Sequence, residues 1–516
     1  MVRWFSSPTG NHPTREPATH PTFTPSNRPT IKLSNHQTIK PMTYIASIGL
    51  EVHVQLKTRT KMFCSCPAHR EDDPPNTNVC PVCLGLPGAL PVPNREAIRK
   101  TVKTGLMMGS TISLRSRFDR KNYFYPDMPK NYQITQQERP LCIGGGLEIE
   151  VGGKKKYIRL NHIHQEEDAA KITHLEHSSE IDYNRASTPL MEMVTEPDMS
   201  TPDEAIAFLT ALREMLIYAG ISECDLERGH MRCDVNSSIR PAGTDRLGVK
   251  CEIKNMNTFR GIHRALEYEL RRQQSVLESG GTLRQETRRW DDEAGATFPM
   301  RSKEYAHDYR YFNEPDLPPV VLDQATIDQW RTEIPELPRA RRARFVSDYG
   351  LPEYDAGVLT ADRAIADWYE AAARASKNPK AVSNWVMGEL LRALGEKGLT
   401  ITDAKITPAA LASLLDLLDK KTINGPAAKE VFQILFDQGG DPAEIVKAKG
   451  LAQVSDTGAM ETFAEQAIAA NPKSVDDYRS GKQAALMYLV GQVMKLSRGK
   501  ANPQLAAEIL RAKLAP

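Results

Sequence analysis

The octapeptide GLEVHVQL, residues 49–56, alternates apolar and polar side chains without a break. Leu50, Val52 and Val54 fall on one parity, and Glu51, His53 and Gln55 on the other. A period of two reads as a β-strand, so a carboxylate and an imidazole are aimed together at the face opposite the apolar one. That face is not a simple core.

Four cysteines follow within thirty residues, Cys64 and Cys66 as C-x-C and Cys80 and Cys83 as C-x-x-C. Two short turns at this spacing bring four thiolates to the corners of a tetrahedron, and zinc is the expected occupant. The bland reading is four small buried hydrophobes, which free cysteines imitate well. Against it, Pro67, Pro74, Pro75, Pro81 and the run Asn76-Thr77-Asn78 make the segment a loop, with no core of its own. A disulfide pair is the competing reading. The other four cysteines, Cys142, Cys224, Cys233 and Cys251, are scattered, which fits a reducing compartment.

A chain of 516 residues is too long for one core and reads as about three domains. Its 67 basic and 65 acidic residues nearly cancel, so any nucleic-acid contact must be local and not the work of a global basic field. No apolar run is long enough to span a membrane, and the expected location is the cytoplasm. Residues 1–41 hold seven prolines, one acid (Glu16) and no apolar periodicity. They read as a disordered, dispensable extension, with the functional start at Met42.

Residues 42–320 mix strands, Gly-rich turns and a few helices, an α+β pattern. LEIEV and KYIRL flank Gly152-Gly153 as a hairpin. Pro202–Ala219 reads as a helix capped by Ser200 or Thr201 and ended by Gly220, and Phe259–Ser279 as another that stops at Gly280. Strand signals vanish past Pro319. Residues 321–407 read as an all-α domain and 408–516 as an all-α tail, with helices starting near Pro408, Pro426, Pro442 and Lys482.

The chemistry-bearing acids gather in the amino-terminal half. HQEEDAAK sets His164, Glu166, Glu167 and Asp168 together, while Asp234 and Glu252 sit on two further candidate strands. Acids so concentrated repel one another unless a divalent cation joins them, and an oxygen-rich set with one imidazole suits magnesium or manganese. Such an ion has work to do where a phosphoryl group moves, yet no G-x-x-x-x-G-K-[ST] loop is present. RKNYFYPDMPKNYQITQ, residues 120–136, reads as the lining of a polar pocket or an RNA surface, with a well-ordered tyrosine-rich loop as the equally weighted bland alternative. Arg339, Arg341, Arg342 and Arg344 read as a solvated helix face, with a phosphate clamp as the alternative. No G-x-S-x-G elbow or Ser-rich amidase signature occurs, so a reaction that needs ammonia would have to import it. On the acids alone, a metal-dependent phosphoesterase or nuclease and a non-catalytic RNA-binding scaffold are the rival readings.

GLEVHVQL, the four-cysteine knuckle with NTNVCPVCLGLPGALPVPN, KNYFYPDMPKNYQITQ, HQEEDAAK, DYNRASTPLMEMVTEPD, MRCDVNSS, EIKNMNTFR and HDYRYFNEPDLPP together resemble the GatB family of tRNA-dependent amidotransferases, from about Tyr44 to the end. The resemblance implies a β-rich cradle domain with inserted helices, a helical domain and a YqeY-like tail that holds tRNA. It implies a ligase that uses ATP and Mg2+ to activate glutamate or aspartate misacylated on tRNA(Gln) or tRNA(Asn) as an acyl phosphate. Ammonia would come from a separate amidase polypeptide, and a small third polypeptide would brace the heterotrimer. Carried over by residue, the magnesium set is Glu51, His53, Glu166, Glu167, Asp234 and Glu252, and the structural zinc set is Cys64, Cys66, Cys80 and Cys83. Glu51, His53, Glu167 and Lys121 would be catalytic, with Lys121 on a phosphate or carboxylate. Asn313 stands where the family often has proline, and Pro426 where a small turn residue is common.

Overall fold

The computed structural model describes residues 43–68, 72–300, 309–453, 457–497 and 501–515. The extension at 1–41 and the start at Met42 lie outside the described residues. The chain divides into two compact units, Met1–Pro335 and Glu336–Pro516. The first is sheet-rich and the second helical.

Nine strands organise the first unit: β1 (Tyr44–Gln55), β2 (Asp119–Asn122), β3 (Tyr132–Thr135), β4 (Lys154–Glu167), β5 (Pro189–Thr195), β6 (Met231–Pro241), β7 (Cys251–Lys254), β8 (Glu286–Asp291) and β9 (Ala296–Pro299). A ten-stranded sheet runs β9-β8-β7-β6-β1-β5-β4 and continues through Cys142–Ile143 to Thr111–Ile112, with Gly146–Val151 pairing onto β4. From β7 to β4 every neighbouring pair is antiparallel. The alternation read in GLEVHVQL sorts the side chains of β1, a central strand, between the two faces of the sheet. Leu50, Val52 and Val54 are at most 1 % exposed, whereas Glu51, His53 and Gln55 are only half-buried.

Three helices serve this sheet: α1 (Arg95–Met107), α2 (Pro202–Tyr218) and α3 (Phe259–Glu278). Thr201 caps α2 by accepting from the Glu204 amide, and Thr258 caps α3 by accepting from the Gly261 amide. Helix α3 packs on β6, where Gln273 donates to Ser237 Oγ. Ser237 shares a parity with the buried Cys233 and Val235, so α3 covers the apolar face and leaves the other to chemistry. The expected hairpin is present, with Gly152 and Gly153 both at positive φ, as a two-residue type I′ turn requires.

β2 and β3 pair with each other and, through β2, with Phe312–Asn313, forming a small separate sheet. Asn313 thus sits in a strand opposite Asp119. Pro426 occupies the first turn of helix Gly425–Gln438, where no amide hydrogen bond is lost.

The helical unit holds two cores, one drawn from Phe345 to Val446 and one from Met460 to Leu514. Helix Pro408–Asp419 packs on helix Arg363–Ala375 inside the first core, so the expected division at 407/408 falls within packed structure. Helix starts at Pro408 and Pro442 are as read, and Lys482 is the N-cap of Gln483–Leu496.

Of the arginine cluster on helix Pro338–Tyr349, Arg339 is exposed but Arg341 and Arg344 do not form a solvated face. Arg341, 6 % exposed, and Arg344 both converge on Glu370. Burial pushes the Glu370 carboxyl up, but hydrogen bonds from Arg344 and Arg341 outweigh it and hold the pKa at about 2. A depressed carboxylate contributes stability above its unfolded value, near 4.5, and loses it as the pH falls toward 2. Glu370→Gln is expected to destabilise the helical unit by about 3 kcal/mol at pH 7, because the buried Arg341 loses one carboxylate partner, keeping Asp367, and Arg344 loses the same one. Urea unfolding at pH 7 and pH 3 checks this. An equal deficit at the two pH values would refute the electrostatic account.

Candidate functional site

The polar face of the sheet assembles the site by register. His53 lies opposite Arg232 on one side and Glu192 on the other, and Glu192 lies opposite His164 in turn. Glu51 lies opposite Asp234, and Asn236 opposite Glu252. Five strands therefore present their charged residues on one surface, because cross-strand partners of one parity share a face.

At its centre His53 Nδ1 donates to Glu166 Oε1 at 3.0 Å, with Glu192 Oε2 at 3.7 Å. One donor atom from each of His53, Glu166 and Glu192 lies within 4.8 Å of the others. Burial alone would strip His53 of its proton, yet Glu192 and Glu166 outweigh burial and push its pKa up to about 9. Burial pushes Glu192 up, while His53 draws Glu166 down to about 2 despite its burial. The field at this point demands positive charge. Two carboxylates and one imidazole are also the donor set that a hard divalent cation accepts, so the residues fit magnesium or manganese.

His164 Nε2 stands 3.4 Å from Glu192 Oε2, and His162 stacks on His164 with ring nitrogens 3.1 Å apart. Burial pushes both imidazoles down to about 4, so they are neutral at pH 7.

A polar pocket of about 420 Å³ opens beside the triad. Its wall carries cations: Lys121, Arg185, Arg232 and Lys254, with Tyr123, Gln133 and Asp234 between them. Arg232 Nη2 pairs with Asp168 at 2.9 Å, Arg185 reaches the same carboxylate at 3.7 Å, and Lys121 Nζ sits 4.7 Å from the centre of the Tyr309 ring. The segment read as a pocket lining does line it, through Lys121, Tyr123, Asp127 and Gln133.

The six-residue set expected for magnesium is not drawn to one point. His53 and Glu166 meet. Asp234 and Glu252 flank Lys254 Nζ at 2.8 and 3.0 Å, and Glu51 accepts from Asn236 Nδ2 at 2.8 Å with Lys250 at 3.9 Å. Glu167 follows Glu166 on β4 and therefore points through the sheet to the other side, where Lys130 and the Ile134 amide donate to its Oε1. Its Oε2 is buried and has no hydrogen-bond partner among the described residues. Glu192 escapes the sequence reading, although it carries a signal: one acid at the centre of the otherwise apolar strand PLMEMVT, on the parity opposite Met191 and Met193.

The four cysteines do converge, with all Sγ atoms within 4.8 Å of one another and Cys80 and Cys83 3.8 Å apart. Zinc–sulfur bonds of about 2.3 Å in a tetrahedron need sulfurs about 3.8 Å apart, so the cluster fits the ion. Hydrogen bonding from Cys64, with the Lys61 ammonium nearby, pulls the Cys83 thiol down to about 5 in spite of burial. Asn76 and Asn78 clasp the knuckle to the segment 181–184: Asn76 Nδ2 donates to Ile181 O, Asn76 Oδ1 accepts from the Tyr183 amide, and Asn184 Oδ1 accepts from the Asn78 amide.

Residues 46–328 match the family model described as the GatB/GatE catalytic domain, and residues 367–514 match the GatB domain model. The chain is 52 % identical over 477 residues to the GatB subunit of the aspartyl/glutamyl-tRNA(Asn/Gln) amidotransferase of Carboxydothermus hydrogenoformans, covering 92 % of this chain and 99 % of that one. The corresponding protein of Caldicellulosiruptor bescii is 52 % identical over 478 residues, with the same coverage, and that of Thermoanaerobacter pseudethanolicus 51 % over 474 residues, with 92 % and 100 % covered.

Proposed function

The chain belongs to the GatB family of aspartyl/glutamyl-tRNA(Asn/Gln) amidotransferases, and from that premise we propose that its sheet pocket activates the tRNA-borne side-chain carboxylate with ATP. The observation that carries the reading is that two members of the triad, His53 and Glu166, line the same pocket as Lys121, Arg185, Arg232 and Lys254, so a cation site and phosphate-binding cations share one cavity. A carboxylate resists ammonia because its charge repels the nucleophile and oxide is a poor leaving group. Phosphorylation removes both obstacles. The side-chain carboxylate of the misacylated residue attacks the γ-phosphorus of ATP, the bond to ADP breaks, and an acyl phosphate forms. Ammonia then adds to the acyl carbon, phosphate leaves with the proton shed by nitrogen, and the amide remains on the tRNA.

Within this scheme His53, Glu166 and Glu192 would hold magnesium. When bound, that ion would supply positive charge to offset the negative charge of the transferred phosphoryl group, worth several kcal/mol in the transition state. Lys121, Arg185, Arg232 and Lys254 would bind the transferred phosphate and the product phosphate, with Arg232 offering a planar fork and Lys121 a compact charge. Asp234 and Glu252 would orient Lys254, and with Glu51 they would hold any further metal. Zinc would occupy Cys64, Cys66, Cys80 and Cys83 as a structural ion. Ammonia would arrive from the amidase partner, in a complex braced by the small third polypeptide. The carboxy-terminal helices would form the YqeY-like tail that grips the tRNA, beyond a cradle built on the sheet.

Glu167 takes a separate role in this proposal. Its unpartnered buried oxygen would accept a hydrogen bond from incoming ammonia on the far side of the sheet. Glu167→Gln is then expected to lower the yield of amide per ADP several-fold, since the acyl phosphate still forms but meets water. Equal losses of ADP and amide would return Glu167 to a purely structural role. The reading as a whole is tested by supplying ATP, glutamine, misacylated tRNA and the two partner polypeptides. ADP and amidated aminoacyl-tRNA are expected together, and ATP turnover without amide would defeat it.

A further inference from the structure

Lys61 is the anomaly of the first unit: a lysine with 0 % exposure, beside the cysteine knuckle and away from the pocket. Its Nζ donates to Cys83 Sγ at 3.6 Å and to the Tyr183 carbonyl at 3.2 Å. No carboxylate of the described residues pairs with it within 4 Å. An ammonium without a counter-ion is too costly to leave in a protein interior, and among the described residues the one acidic group this ammonium touches is the Cys83 sulfur. Four thiolates around one divalent ion leave two excess negative charges in a partly buried loop. Each side of this contact supplies what the other lacks.

We propose that Lys61 is the built-in countercharge of the knuckle, a positioning residue that retains the metal and ties the metal loop to the segment after Tyr183. The tie is continuous along the backbone. The Lys61 amide donates to Cys66 O at 3.0 Å, closing the first cysteine turn, and the Met62 amide donates to Ser187 O at 2.7 Å. Between Tyr183 and Ser187 stands Arg185, which lines the pocket. The metal loop and one cation of the phosphate wall thus share a short anchored segment, with Lys61 at its centre.

This inference rests on the zinc reading of the knuckle, and the zinc content of the wild-type chain tests that reading by itself. The test of Lys61 is the rate at which full-length protein gives up zinc to the chromogenic chelator 4-(2-pyridylazo)resorcinol. Lys61→Gln removes the charge and is expected to release zinc at least about tenfold faster, while Lys61→Arg keeps the charge and stays within about threefold of wild type. Cys66→His lowers the charge of the cluster by one, so in that background Lys61→Gln should matter less than about threefold. Equal release from the Gln and Arg variants overturns the proposal, as does an equal effect of Lys61→Gln in both backgrounds. If Lys61→Gln does not fold alone but folds with Cys66→His, the charge argument stands. If neither folds, Lys61 is a packing residue and the proposal falls.

Discussion

Replacing Glu192 by Gln should lower tRNA-dependent ADP formation by about 10²-fold to 10³-fold, with tRNA affinity changed less than about threefold. The side chain keeps its shape and loses its charge, so the effect reports on the triad's pull on a cation and not on packing. His53→Ala should behave alike, since its Nδ1 is the third donor of the same cluster. The double variant should be little worse than either single one, because residues that hold one ion act as a unit. A variant that bound tRNA ten times more weakly while turning over ATP normally would show that Glu192 supports the fold of an RNA surface, and the metal assignment would fail.

The contrast with Glu167 explains how much the sequence told. Alternation in GLEVHVQL placed β1 and its two faces, and the turn glycines and cap residues placed the hairpin and both long helices of the first unit. Such signals are local. The triad depends on which strands become neighbours: Glu192 meets His53 only because β5 pairs with β1 in one register, over a separation of more than a hundred residues. Nothing local marks that pairing. The expectation that Glu166 and Glu167 act together passes over the strand's own parity, which sends adjacent side chains to opposite faces once HQEE is part of β4 and not the turn beyond it. Arg341 and Arg344 mislead for the opposite reason. A charge run on a helix is usually solvated, and only the packing of helix Arg363–Ala375 against it supplies Glu370.

Cys80→Ser carries the other large effect, and it tests how far the knuckle reaches. A serine hydroxyl is a poor zinc ligand, so zinc per chain should fall from about one to near zero after dialysis against a mild chelator. Metal ligation and folding are coupled in such sites, and the loss should spread along the contacts that the knuckle makes. These run through Asn76 and Asn78 to residues 181–184, and on to Arg185 at the pocket wall. The thermal midpoint should drop by several degrees, and hydrogen exchange should rise first at residues 72–84 and 181–188 while β1 and β5 stay protected. Because the triad is held by the sheet and not by the loop, ATP cleavage should persist at saturating ATP with a raised KM, the signature of a disturbed phosphate wall. Should turnover vanish at every ATP concentration with β1 still protected, the knuckle would belong to the chemistry and not to its scaffold.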